Sequence, residues 1–333
     1  MPLATQQVYG TVTVDGEVFR PVVGDSSQSG RSGSASAASG GRKKLGIEYI
    51  TDRYNTSAKL SVPVLADSAP VEGQDVQLII QDETVFTGQI NSSESGLGDR
   101  IYLTAYDAAD ELKGATLTQS FDRATITAIA KAALEEAGID SYEVNLPSER
   151  SSPDFDNERC DRVLQRCATW GDAIWYVTPD NMVVLTQSVS SEGHDLEYLT
   201  DTSDGLASPA YESVTVIGSA PTSRRGQQSM HMLSSKRIIA SAGDGLPKYR
   251  YEDAGIRTQK MAENAAQSIL KELQRQKEGG TITVLGDPTI RPWDTVTLPP
   301  AQGGTTYLVS GAEHSLTSRK GFKTKITVGQ VVT

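Results

Sequence analysis

Histidine, cysteine and aromatic residues are scarce in this 333-residue chain, and each scarcity removes a class of function. Aromatic residues make up 6% of it, too few for a platform on which the bases of a single strand would stack. The two cysteines, Cys160 and Cys167, stand seven positions apart. On a helix that spacing is about 10.5 Å of rise, beyond disulfide reach, and it puts both on one face. With no further ligand at metal spacing, they read as two small buried apolar residues. The three histidines, His194, His231 and His314, match no His-Glu-x-x-His or related pattern and read as surface or interface residues. No apolar run approaches the roughly 20 residues needed to cross a bilayer, so no membrane segment is expected. The first residues, Met1-Pro2-Leu3-Ala4-Thr5-Gln6-Gln7, show no basic stretch leading into an apolar one. A secretory signal is therefore not expected, and the chain is expected to fold in the cytoplasm of the cell that makes it.

Reactive motifs are missing too. There is no Gly-x-Ser-x-Gly elbow, no phosphate-cradling Gly-x-x-x-x-Gly-Lys and no dinucleotide fingerprint. The stretch from Ser151 to Asp156 fails as a calcium loop. Counted from Asp154, the sixth place holds Arg159 instead of glycine and the twelfth Gln165 instead of glutamate. Paired acids for hydrolysis exist only on paper, as Glu135-Glu136 and as Asp107, Asp110 and Glu111, and adjacent acids on a helix usually mark a solvated face. Trp175 and Trp293 are the notable aromatics for a sugar-binding surface, and each reads more simply as a packing residue. The expectation is no enzyme: no catalytic residues, no metal ligands and no cofactor.

Positive charge is also in deficit, with a net charge of −11 and a pI near 4.9. A sequence-independent grip on nucleic acid needs Lys and Arg against phosphates, which this balance does not favour. An acidic channel wall would instead let DNA slide past without sticking. Asp outnumbers Glu and Arg outnumbers Lys, a bias compatible with a high-salt host.

What the chain does contain is strand and turn. Val8, Gly10, Val12 and Val14 share a face, and Asp15-Gly16 before the run from Val18 to Val23 is a strong hairpin signal. A Gly/Ser/Ala tract over residues 24–41 cannot offset its ordering entropy and reads as a flexible excursion. Strands are predicted at Leu45–Ile50, Ser57–Val64, Asp75–Gln81, Glu83–Asn91 and Arg100–Tyr106, the spacing of a small barrel or sandwich. The period then changes. Ile126, Ile129, Ala130, Ala133, Leu134 and Ala137 form a helical stripe, with Asp122 or Thr125 as cap and Gly138 as stop. A second helix is predicted from about Asn157 to Trp170, with Gly171 stopping it. A hairpin follows, Ala173–Val177 and Met182–Thr186. Further strands are predicted at Glu212–Gly218 and Arg237–Ser241, then the longest helix from Ala254 to Gln276. The chain ends in strands at Thr281–Leu285, Thr295–Leu298, Thr306–Ala312 and Phe322–Val328. The predicted class is α+β, mainly β: two small β-barrel domains with an intervening α/β domain. The boundaries are an N-terminal barrel at 1–112, a peripheral α/β domain at 113–206, and a second barrel at 207–333 carrying the long helix 254–276.

Three stretches carry a resemblance. The first is Asp156-Asn157-Glu158-Arg159-Cys160-Asp161-Arg162-Val163-Leu164-Gln165-Arg166-Cys167-Ala168-Thr169-Trp170-Gly171, followed by Ala173-Ile174-Trp175-Tyr176-Val177 and Asn181-Met182-Val183-Val184-Leu185. The second is Gly286-Asp287-Pro288-Thr289-Ile290-Arg291-Pro292-Trp293-Asp294-Thr295-Val296-Thr297-Leu298, with Tyr307-Leu308-Val309, Glu313-His314-Ser315 and Gly321-Phe322-Lys323-Thr324-Lys325-Ile326. The third runs from Asp107 to Gly138. In this order they resemble the hub family of tailed phages, which includes late control D proteins and the N-terminal part of the type VI secretion spike. Together they cover about half the chain. Two departures stand out: Cys167 replaces a usual leucine, and Trp293 stands where glycine is usual. Because Trp resists positive φ, the turn at Trp293 is expected to be of another type.

The resemblance implies a ring-forming homotrimer at the tail tip or baseplate of a virion. Such a hub joins a six-fold tail tube to a three-fold spike or fibre and lines the channel for DNA ejection. The partners implied are the chain itself, the tail tube or distal tail protein, the spike or tail fibre, and the tape measure protein. DNA would transit the lumen without specific binding. The competing expectations are a tail-associated cell-wall hydrolase and a carbohydrate-binding tail-tip module.

Overall fold

The computed structural model describes residues 10–19, 21, 47–52, 57–65, 68–96, 100–189, 191–196, 199–204, 211–219, 238–275, 279–300, 303–317 and 321–331. The tract 24–41 and His231 lie outside the described residues.

The first β unit contains β1 (Gly10–Val14), β2 (Glu17–Phe19), β4 (Lys59–Leu65), β5 (Asp75–Ile80), β6 (Glu83–Ser95) and β7 (Arg100–Tyr106), with β3 (Ile47–Asp52) beside it. Alternation dictates this. Val12 and Val14, Leu60, Val62 and Val64, Val76, Leu78 and Ile80, and Ile101 and Leu103 all turn into one core. The β1–β2 turn has Asp15 at φ 48° and Gly16 at φ 81°, the positive pair that an Asp-Gly hairpin needs. Strand β6 is long enough to serve two neighbours: Gln89 faces Asp75 of β5 and also Tyr106 of β7. The turnover is possible because of Gly88, where a Cβ would fall 2.2 Å from the Tyr106 carbonyl oxygen. The order β2-β1-β5-β6-β7-β4 is then closed by an antiparallel bridge from Pro21 to Val64. Proline suits this seam, having no N–H to leave over.

The middle unit contains α1 (Ala108–Gly114), β8 (Thr116–Ser120), β9 (Ala124–Thr125), α2 (Ile126–Glu136), β10 (Tyr142–Asn145), β11 (Arg150–Ser151), β12 (Asp154–Arg159), α3 (Cys160–Gly171), β13 (Ile174–Val177) and β14 (Val183–Thr186). Thr125 caps α2, its hydroxyl accepting from the Ala128 N–H at 3.2 Å. The second helix differs from its predicted span. It starts at Cys160, because residues 154–159 pair with β8 as a strand, with Phe155 inward and Asn157 at φ 51° in a bulge. At its other end Asp172, not Gly171, makes the left-handed turn, at φ 48°. Gly171 is the last helical residue and lies against Pro147.

The chain next forms β15 (Gly193–Asp195) and β16 (Leu199–Asp204), then β17 (Ser213–Ile217), β18 (Ile239–Ala242), β19 (Lys248–Glu252) and α4 (Gln259–Arg275). Here the packing departs from the predicted boundaries. Val214, Val216, Ala240, Met261, Ala262, Ala265 and Ala266 share one core with Ile129, Leu134, Val163 and Leu164 of α2 and α3. The long helix therefore belongs to the middle unit, its apolar stripe covered by α3 and by β17–β18. It begins at Gln259, capped by the Thr258 hydroxyl accepting from Met261 N–H at 3.1 Å. An ion cluster ties the end of β19 to α3. Arg166 of α3 reaches Asp253 (2.8 Å) and Glu158 (2.7 Å), and Trp170 Nε1 donates to Asp253 at 2.8 Å.

The second β unit adds β20 (Gly280–Leu285), β21 (Thr295–Thr297), β22 (Thr306–Thr317) and β23 (Gly321–Gln330). Its strands follow the order β16-β20-β23-β22-β21-β15, and Ile282, Val284, Ile290, Val296, Val309, Ile326 and Val328 fill its core. Residues 193–195 and 199–204, inside the predicted bounds of the peripheral domain and not predicted as strands, form β15 and β16 and pair with β21 and β20. Among the described residues, no helix is long and apolar enough to cross a membrane.

Candidate functional site

The feature with functional reach is the join between the two β units. Strand β3 pairs antiparallel with β4 on one side (Tyr49 opposite Leu60) and with β22 on the other (Ala312 opposite Thr51). All 13 strands thus form one hydrogen-bonded sheet. A backbone ladder tolerates little rotation, so the two units are held at one angle. Strands β22 and β23 strengthen the join. Val309, Ile326 and Val328 sit in the second core, whereas Leu316 and Phe322, farther along the same hairpin, sit in the first.

His314 lies where one core gives way to the other. It is 1% exposed, its Nδ1 is 3.0 Å from the Thr324 hydroxyl, and its ring stacks on Phe322. Burial pushes its pKa down to about 4, outweighing the hydrogen bond to the Ile290 backbone and the nearby Asp287, so the ring is neutral near pH 7. Thr324 in turn accepts from Asp287 N–H at 2.9 Å, pinning the loop after β20. Gly286 is needed there, since a Cβ would fall 2.0 Å from the Phe322 ring. His194 does a different job. Its Nε2 lies 3.3 Å from Asp294 Oδ2, which raises its pKa and ties β15 to the start of β21.

The turn leading into β21 corrects the expectation at Trp293. Asp294 N–H donates to the Arg291 carbonyl at 3.2 Å across Pro292 and Trp293, and Trp293 has φ 81°. That is a type II turn with Pro at its second place and Trp at the place glycine normally takes. The turn type is thus the one glycine would give. Side-chain burial holds Trp293 there: the indole is buried and the Arg275 guanidinium lies 5.4 Å from its ring centre.

The candidates for chemistry are scattered. Glu135 and Glu136 are exposed in the last turn of α2. Asp107 is buried and caps α1, accepting from Ala109 N–H at 3.2 Å, with Asp110 and Glu111 in the first turn after it. Burial raises its pKa to about 7. Trp175 is buried on β13 and donates from Nε1 to Gln165 at 3.2 Å. Neither it nor Trp293 offers an open ring face for a sugar. Cys160 and Cys167 share one face of α3 as the spacing predicts, and burial pushes both thiols up, Cys160 to about 11. Among the described residues, no group of three or more His, Cys, Asp or Glu side chains is placed to hold a metal. Sequence reasoning found the strand at β3 but missed its sharing between the two units, and it missed the Asp253 cluster. Asp253 lies 87 positions from Arg166, and no local pattern links the two.

No protein-family model matches the chain, and no curated protein matches it in sequence. Solved structures do match it in shape. The tail protein from Neisseria meningitidis MC58 superposes with a TM-score of 0.70 at 14% identity, over 97% of this chain and 96% of that one. The chain shares the fold of that tail protein. The 43 kDa tail protein of prophage MuSo2 from Shewanella oneidensis gives 0.68 at 14% identity, over 97% and 98%. The E. coli c3393 protein, a type VI secretion component described as similar to the T4 tail proteins gp27 and gp5, gives 0.55 at 12% identity, over 86% and 73%.

Proposed function

We propose that this chain is a structural, non-enzymatic protein of a virion tail: the hub at the tail tip or baseplate that joins a six-fold tube to a three-fold spike or fibre. The observation that carries this reading is the pair of β units, β2-β1-β5-β6-β7-β4 and β16-β20-β23-β22-β21-β15, joined by β3 within one chain. Each has six strands, and each has its own core. Three copies around an axis would present six such units to a tube above and three-fold symmetry to a spike below. The ring would hold the units in register because β3 already fixes them pairwise. Partners on this reading are two further copies, the tube or distal tail protein, the spike or fibre, and the tape measure protein. The net charge of −11 suits a lumen that DNA crosses without binding. The similar folds described as tail proteins support the same reading.

The test is stoichiometry. Native mass spectrometry of the assembled ring should give three times the 35.6 kDa chain mass, and imaging of the particle should place three chains at the junction of tube and tip. Six chains around the axis, or one, would refute the symmetry argument. Clearing of a cell-wall zymogram by the purified protein would refute the non-enzymatic assignment.

A further inference from the structure

We infer that Trp293 and Arg275 form a latch that locks the middle α/β unit to the second β unit, so that the two move as one body. Arg275 is the last residue of α4, whose buried side chains Met261, Ala262, Ala265, Ala266 and Leu270 all belong to the core of the middle unit. Its guanidinium leaves that core and lies 5.4 Å from the Trp293 ring centre, in the second β unit. A second contact stands beside the first. At Gly329, near the end of β23, a Cβ would fall 2.5 Å from the Arg275 carbonyl oxygen, so the helix terminus is seated directly on the strand backbone.

The backbone at Trp293 is the reason to assign this contact a purpose. A bulky residue at φ 81° is an uncommon and strained choice in a type II turn, where glycine serves without strain. Residue 293 enters the turn's hydrogen bonds through its backbone: Asp294 N–H donates to the Arg291 carbonyl, Trp293 N–H donates to the Val309 carbonyl, and the Asp294 carboxylate accepts from Arg291 N–H at 2.8 Å. What Trp adds over glycine is a buried ring under a guanidinium from the neighbouring unit. The strain is therefore spent on the joint between units, not on the turn. His194, Asp294 and Glu192 brace the same turn from the β15 side, which keeps its position defined when the ring is pulled by the helix.

Amide hydrogen exchange on the full chain tests the latch from both sides. In Trp293→Gly the turn keeps its geometry, and amides in the last turn of α4 should exchange roughly two- to thirty-fold faster, the range a ring–guanidinium contact supports. In Arg275→Met the amides of Trp293 and Val309 should speed up by the same factor, because coupling between two sites is reciprocal. The double variant should show no further increase. If Trp293→Gly fails to fold, Arg275→Met alone carries the test, read at the amides of Trp293 and Val309 across the joint. Unchanged exchange at the helix end in a folded Trp293→Gly protein, or an effect of Arg275→Met confined to α4, would overturn the inference.

Discussion

Replacing Asp107 by Asn should make the protein more stable, and increasingly so as pH rises. Asp107 sits at the step from β7 into α1, with its backbone N–H on the Ala58 carbonyl and its carboxyl accepting from Ala109 N–H. Burial raises its pKa from 3.8 to about 7, against the pull of backbone hydrogen bonds and of Lys113. A carboxyl whose folded pKa exceeds its unfolded one favours the folded state only while protonated, so stability falls as pH climbs from 3.8 through 7. At about 1.4 kcal/mol per pH unit, the cost is roughly 1.7 kcal/mol at pH 5 and roughly 4 kcal/mol at pH 8. Asn keeps an acceptor oxygen for the helix cap and has no charge to bury. Any fixed difference between the two residues cancels in a comparison across pH. The advantage of Asp107→Asn should therefore grow by roughly 2.5 kcal/mol between pH 5 and pH 8. Denaturant unfolding of both proteins, followed by tryptophan fluorescence at the two pH values, measures it. An advantage that is constant with pH, or that shrinks, would refute the assignment of Asp107 as a buried, near-neutral titrating group.

Two further outcomes follow from buried polar groups. His314 has a folded pKa near 4, below its ordinary 6.5, so the neutral ring is favoured by folding. Its contribution is intact above pH 6.5 and lost as pH falls toward 4, by roughly 3 kcal/mol in all. A His314→Gln protein should lose this acid sensitivity, and an unchanged slope of unfolding free energy between pH 6.5 and 4 would contradict it. Asp253→Ala removes the partner of Arg166 and of Trp170 Nε1 while leaving Glu158 on the guanidinium. It should cost about 3 kcal/mol, the low end for breaking a buried ion pair. A loss below about 1 kcal/mol in denaturant unfolding would show the cluster to be dispensable.

Local signals were readable wherever a pattern repeats over a few residues. The Asp15-Gly16 hairpin, the alternating strands of the first unit, the Thr125 cap and the face shared by Cys160 and Cys167 all follow from spacing. Strand β12 was not readable, because Asn157 and Glu158 continue the polarity of the helix after them. Only pairing with β8 decides that residues 154–159 extend. Trp293 shows the same limit from the other side. Intrinsic φ preference argues against a glycine-type turn, and the preference yields to burial of the ring and its contact with Arg275.

The order and type of most elements were settled by the sequence alone, since hydrophobic period, caps and turn residues act between near neighbours. Membership of a unit was not. Helix α4 fits either β unit or the middle one by composition, and only its fit against α3 and β17–β18 assigns it. Likewise nothing in the six residues of β3 announces that it pairs with β4 on one edge and β22 on the other. Backbone hydrogen bonds carry no residue code, so which strands share a ladder is decided by how the packed cores bring their edges together.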